Sequence, residues 1–273
     1  MDLDAISEAL RSHPLISAAG LCALPGAAED DFSDVDIFVY CTDVPPGEER
    51  AALVSRITAD YMPGRERTRW GICDQALSGG EEVWLMYVTE KETQEEAEQA
   101  LSGRLPGRMD NYYYPVGRLA TLKNLRVLFD KTGFLAEIKA KLAEYPEELR
   151  RALVRFHAEA LCDTEDMERA AARGDVLFYH FALDIALDHF LQALFALNRE
   201  YFPSRKRSIK YISGFEIKPL GCEKTLLDIA ALGGSPEGVR ASYAKMAELI
   251  EWTRAQAKNN ALKLGALISQ DKI

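Results

Sequence analysis

Apolar residues recur at helical intervals across residues 3–12, "LDAISEALRS", and predict an amphipathic helix. The Pro-started apolar segment that follows, "HPLISAAGLCAL", reads as a strand, and "LPGAAEDDFS" as a loop by its Pro-Gly pair and acidic run. "DVDIFVYCT" is β-branched and apolar, a second strand, bounded by "VPPGEE", after which "EERAALVSRITADY" returns to helical spacing. In "GICDQALSGGEEVWLMYVTEK" a hairpin is predicted around Ser78-Gly79-Gly80, with "EVWLMYV" as its second strand. The helix "TQEEAEQALSGR" comes next, and "NLRVLFDKTGFLAEIKAKLAEY" predicts a short strand, an Asp-Lys-Thr-Gly turn and a helix. Past about residue 134 the strand signals stop and helical periodicity runs almost unbroken to the end.

That change of period predicts an α+β protein in two domains, a mixed sheet with flanking helices over residues 1–133 and an all-α helical bundle over 134–273, with a ligand cleft between them. The 273 residues, 48% of them hydrophobic, suffice for two cores. No apolar run looks long enough to span a bilayer, which takes roughly 18 residues, and the acidic N-terminus is unlike a signal peptide, so the expectation is a cytoplasmic protein with no membrane partner. Five scattered cysteines without C-x-x-C spacing indicate neither a disulfide framework nor a zinc site. A formal net charge of -10 makes a long nucleic acid a poor partner and favours cationic or neutral small molecules. Homodimerisation stays open.

The candidate chemistry starts at "DDFSDVDIFVY", where Asp34 and Asp36 head an apolar strand. Residues two apart in a strand point to one face, so the two carboxylates repel unless water or a bound cation relieves them. Hard divalent ions such as magnesium take oxygen ligands of this kind. A third carboxylate on the hairpin has three candidates: Glu82, which shares the face of Trp84 and Met86, and the competing Glu81 and Asp74.

The order strand, glycine, loop of about a dozen residues, then Asp-x-Asp on a strand, in "AAGLCALPGAAEDDFSDVDIFVY", resembles the nucleotidyltransferase superfamily of polymerase beta type. Within it, the helical second half and "ALNREYFPSRKR" look like the antibiotic nucleotidyltransferases with a helical C-terminal domain. The resemblance implies magnesium-dependent transfer of a nucleotidyl group from a nucleoside triphosphate, most often ATP, to a hydroxyl of a small-molecule acceptor, with an aminoglycoside-like cation as one candidate. It implies two magnesium ions held by Asp34, Asp36 and a third acid, for which Glu82 is chosen. One ion would activate the attacking hydroxyl and the other would neutralise the leaving pyrophosphate. It also implies that Gly20 opens a helix whose amides, with Leu21 and Ser33, hold the triphosphate. Leu21 departs from the usual serine or glycine; it keeps its amide and lacks the hydroxyl.

In the helical half, His180, Asp184, Asp188 and Gln192 fall at steps of four and form one polar stripe. Asp184 or Asp188 is the expected general base for the acceptor hydroxyl or holder of a cationic acceptor, with Asp184 chosen, and Lys206 of "SRKRSIK" is the expected phosphate contact. Tyr112, Tyr113 and Tyr114 read as seam residues. Two other functions fit the sequence. One is a catalytically silent nucleotide-binding regulator; the other, on the spacing of Arg173 and His180, is a HEPN-like ribonuclease of the kind that accompanies minimal nucleotidyltransferases.

Overall fold

The structure is a computed structural model describing residues 2–24, 34–56, 58, 60–64, 66–78, 80–104, 115–162 and 164–270. The chain divides into two compact units, Met1–Gln99 with Pro115–Glu144, and Ala100–Tyr114 with Tyr145–Ile273. The class is α+β, as the change of period implies.

The first unit begins with α1 (Leu3–Ser12), whose N-cap Asp2 accepts from the amides of Asp4 and Ala5 at 3.1 and 3.0 Å, meeting two of the donors that a helix start leaves open. Then come β1 (Ile16–Leu21), β2 (Val35–Cys41), α2 (Gly47–Val54), β3 (Tyr61–Met62), β4 (Arg67–Thr68), β5 (Gly71–Ser78) and β6 (Glu81–Thr89). Helices α3 (Glu90–Leu101) and α4 (Pro115–Asn124), strand β7 (Arg126–Asp130) and α5 (Phe134–Lys141) follow. The strands make one sheet in the order β3-β5-β6-β2-β1-β7, with β4 pairing β5. β2 runs parallel to β6 and antiparallel to β1, which is itself flanked by β7. Glycine is required where β5 opens: Gly71 has φ +102, and a Cβ there would sit 2.1 Å from the Tyr87 carbonyl oxygen.

One face of the sheet carries the core. Ile37, Val39, Val83, Leu85 and Tyr87 pack with Ile6 and Leu10 of α1 and Leu53 and Val54 of α2. The alternate residues Asp36, Phe38 and Tyr40 of β2 point the other way, alongside Trp84, Met86 and Val88 of β6. Phe38 meets the ring of Trp70 edge-on at 6.1 Å, and Tyr40 lies 5.4 Å from Phe134 of α5. Both faces of β2 are covered beyond its first residues, which is why the run reads as continuously apolar after Asp36.

The second unit contains α6 (Glu147–Ala160), α7 (Glu165–Arg173), α8 (Val176–Leu197), α9 (Ser208–Ser213), α10 (Cys222–Leu232) and α11 (Val239–Gln270). Gly174, left-handed at φ 67, ends α7, and the side chain of Asp175 caps α8 by accepting from the Phe178 amide at 3.2 Å. α8 packs against α6, α7 and α11. By length and composition this 22-residue helix is apolar enough to cross a membrane, contrary to the expectation that no such run exists; 61% of its most apolar window is buried inside the protein, as in the core helix of a bundle.

Candidate functional site

The register of β2 against β6 decides which acids share a face. Val35 pairs with Val83 and Asp36 with Trp84, so Asp34 and Glu82, one residue earlier on each parallel strand, are neighbours on the side of the sheet that carries Asp36. Asp34 is exposed, and Asp36 and Glu82 are half-buried. The competing acids lie on the core side: Glu81 alternates with Glu82, and Asp74 pairs with Leu85, whose own partner is Ile37. Asp74 is fully buried and occupied. It accepts from Arg50 Nε at 2.9 Å and Nη2 at 3.3 Å, from the Tyr61 hydroxyl at 2.5 Å and from the Gly64 amide at 2.8 Å. Burial works most strongly against the Arg50 charge, but the hydrogen bonds and the charge of Asp74 together outweigh it, so the guanidinium is held more firmly protonated than usual.

A row of side chains crosses this second face from Gln75 through Trp84 to Asp36, and beyond it the Cys22 amide donates to the Asp36 carbonyl at 2.8 Å. The Gln75 amide donates to Glu82 Oε1, turning that carboxylate toward β5. Burial pushes the Cys22 thiol up to about 11, with the charges of Asp36 and then Asp34 adding to the shift, so the thiol lies within the field of both acids. The donor set of Asp34, Asp36 and Glu82 is all oxygen, the set a hard divalent cation takes. Among the described residues, however, no three His, Cys, Asp or Glu side chains are gathered for a metal ion. Asp34 and Asp36 would be the residues to hold such a cation; Glu82 accepts from Gln75 through one carboxylate oxygen, which leaves the other on the same face, and the place beside Asp36 belongs to Trp84.

Gly20 and Leu21 differ from expectation. Rather than opening a helix, both lie inside β1, Gly20 between Phe38 and Val127, and Leu21 between Ile37 and Arg126. Two flanking strands use the backbone there for sheet pairing. A Cβ on Gly20 would lie 3.3 Å from the Leu125 side chain, so the glycine serves close packing, and Leu21 packs against the core cluster. Ser33 and Tyr112 to Tyr114 lie outside the described residues.

Asp184 and Lys206 belong to the second unit. Arg205 grips Asp184 with both terminal nitrogens, at 2.8 Å for one of them, and reaches Asp188 through Nε. The Arg205 hydrogen bond, against a smaller effect of burial, holds the Asp184 carboxyl below its usual range. Low proton affinity is the opposite of what a general base needs at neutral pH. The polar stripe of α8 thus runs from exposed His180 and Asp184 to buried Asp188 and Gln192. Lys206 is exposed, its amide donating to Ser204 Oγ at 3.1 Å. Arg173 ends α7, and His180 on α8 sits with Nε2 2.9 Å from the Gly233 carbonyl.

One residue of interest escaped the sequence reading. Arg118 of α4 is 5% exposed, with its guanidinium 5.5 Å from the Trp70 ring centre, Nε 2.9 Å from Glu96, and a hydrogen bond of 2.5 Å to the Arg69 carbonyl. Its charge acts on Tyr40 and Cys73, two side chains on the same face as Asp36. The signal was a single arginine set among the apolar residues of "VGRLATL".

A family profile described as a domain of unknown function (DUF4037) matches residues 112–207. No curated protein matches the chain at a significant level. Among solved structures, the chain is similar to a nucleotidyltransferase-like protein from Exiguobacterium sibiricum 255-15, with 11% sequence identity, a TM-score of 0.47, and coverage of 94% of this chain and 80% of that one.

Proposed function

We propose that the chain is a nucleotidyltransferase that moves a nucleotidyl group from a nucleoside triphosphate, ATP in the first instance, to a hydroxyl of a small-molecule acceptor, at the sheet face bearing Asp34 and Asp36. The observation that carries this reading is the register of β2 on β6, which sets Asp34, Asp36 and Glu82 on one face at the entering ends of two adjacent parallel strands. Asp34 and Asp36 would hold magnesium, which supplies charge neutralisation and activation of the attacking hydroxyl in such transfers. Their mutual repulsion is the cost of a poised cation site. Glu82 is held by Gln75 next to that pair, and Arg118 adds positive charge on the same side of the sheet. The proposal draws on residues of the first unit alone, and neither Asp184 nor Lys206 is assigned a role in it.

A second reading, nucleotide binding without turnover, is favoured by two observations: Gly20 and Leu21 are spent on sheet pairing, and Glu82 is turned to Gln75. One experiment separates the readings. ATP with magnesium should raise the melting temperature of the native chain, and Asp36→Asn should remove that rise while leaving the ligand-free melt unchanged or slightly higher, because one repelling charge is gone. Pyrophosphate release with a panel of hydroxyl-bearing acceptors, aminoglycosides among them, then marks the transferase, and binding without release marks the silent protein. An ATP response that Asp36→Asn leaves intact would sink the transferase reading at this face, and no response to ATP with magnesium at all would sink both.

A further inference from the structure

The helical unit holds a cavity unrelated to the carboxylate face. It lies between the end of α6, α7 and the first half of α8, and encloses about 230 Å³. Leu161, Met167, Phe178, Ile185 and Ala186 supply its apolar walls, and Thr164 and Asp166 line it as well. At its open side Phe181, 64% exposed, stacks on Phe178 with centroids 6.3 Å apart and planes inclined by 12°. Aromatic side chains on the solvent side of an apolar pocket are costly to leave in water and are covered by an apolar ligand at no further ordering cost to the backbone.

One nearly buried polar side chain reaches this cavity. His189 is 9% exposed, and its Nδ1 lies 2.9 Å from Nδ1 of His157. Two facing ring nitrogens share a single proton, so one ring donates and the other accepts. With Nδ1 engaged, Nε2 is the remaining polar atom of His189; among the described residues it has no hydrogen-bond partner, and it is not among the atoms sealed from solvent. If His189 donates through Nδ1, Nε2 is an acceptor; if it accepts, Nε2 carries the hydrogen. A hydroxyl satisfies either case, because it donates and accepts. Burial lowers the proton affinity of His189, so the ring meets a ligand uncharged and offers no positive charge to an anion. Size agrees: an apolar cavity of about 150 Å³ accepts benzene, so this one has room for a ring with a substituent.

We propose that this cavity is a binding site for a small, uncharged hydroxylated aromatic molecule of the phenol class, its ring among the apolar walls and its hydroxyl on Nε2 of His189. The site is independent of the function proposed for the first unit. The test uses the full chain with phenol, p-cresol, toluene and benzoate, read by calorimetric titration and by the thermal melt. Phenol and p-cresol should bind saturably, toluene roughly five- to tenfold more weakly for want of one net hydrogen bond, and benzoate not at all. Ala182→Leu places added volume in the cavity from a half-buried position on α8; it should keep the ligand-free melt and abolish phenol binding. Phe181→Ala, at an exposed site, should fold normally and weaken phenol binding several-fold, which keeps the test valid if the leucine variant is unstable. The proposal is overturned if phenol and p-cresol do not bind saturably, if toluene or benzoate binds as well as phenol, or if both variants bind phenol as the native chain does.

Discussion

Asp74 and Asp36 lie two strands apart in one sheet and face opposite ways. Asp74 points into the core side, where the guanidinium of Arg50, the hydroxyl of Tyr61 and the amide of Gly64 fill its acceptor positions. Asp36 points to the other side, half-buried, with Asp34 exposed two residues before it and Glu82 one strand over. Asp36 stands between Val35 and Ile37 and Asp74 between Cys73 and Gln75, and the difference between them is the face of the sheet that each enters. A carboxylate already saturated by a buried arginine has nothing left for a cation, whereas carboxylates at an open strand end are costly together and become favourable when a cation joins them. Arg205, which grips both Asp184 and Asp188, extends the lesson to the helical unit: its acids are spoken for.

The contrast is testable, and the largest effect belongs to Asp74. Replacing it by alanine strands the Arg50 guanidinium, whose side chain is 4% exposed, and should cost about 3–5 kcal/mol of stability in urea unfolding. A cost below about 1 kcal/mol would show that the network does not hold the core side together. Leu21→Ser comes next. Because Leu21 packs against the core cluster from the end of β1, the substitution should cost about 2 kcal/mol through lost apolar contact and a hydroxyl without a partner. It should give no gain in the melting shift induced by ATP and magnesium; a larger shift would put this position at the phosphates after all. Asp36→Asn should change ligand-free stability by about 0.5 kcal/mol or less, as substitutions away from packed features do, and its effect should fall on nucleotide binding alone.

The smallest expected effect is a pH dependence in the helical unit. Hydrogen bonds from Arg150 first, with burial opposing and Arg151 and Arg199 adding, lower the Glu147 carboxyl from 4.5 to about 2. The folded state therefore releases this proton more readily than the unfolded chain. The stabilisation is fully present above pH 4.5 and is lost as pH falls toward 2. Since the Glu147 side chain is 38% exposed, solvent screening limits it to about 1 kcal/mol or less. Urea midpoints of the native chain and Glu147→Gln should differ at pH 6, and the difference should shrink steadily below pH 4.5 toward pH 2. A constant difference across that range would mean the arginines do not act through its charge.

What the amino-acid order determined by itself was local. The cap at Asp2 and the spacing of Ile6, Ala9 and Leu10 define α1, the apolar runs define β1 and β2, and the glycines after Ser78 mark the hairpin of β5 and β6. These follow from periodicity and turn chemistry acting over a few residues. The shared face of Asp34 and Asp36 belongs to the same class, because alternation along one strand needs no partner. Long-range pairing settled the rest. Glu82 is a neighbour of Asp34 because β2 and β6 pair in parallel in one register, and a shift of one residue would have brought Glu81 there instead. Gly20 sits in an interior strand because β7, more than 100 residues later, closes the other side of β1. Asp74 is buried because Arg50 comes from α2 and Tyr61 from β3 to meet it. The polar stripe of α8 is visible as a spacing of four, but only packing against α6, α7 and α11 determines that His180 stays outside while Asp188 and Gln192 go in. A side chain's chemistry is written in its residue type; whether that chemistry is spent or available depends on partners that only tertiary contact supplies, because hydrogen bonds and charges act over a few ångströms in space whatever their separation along the chain.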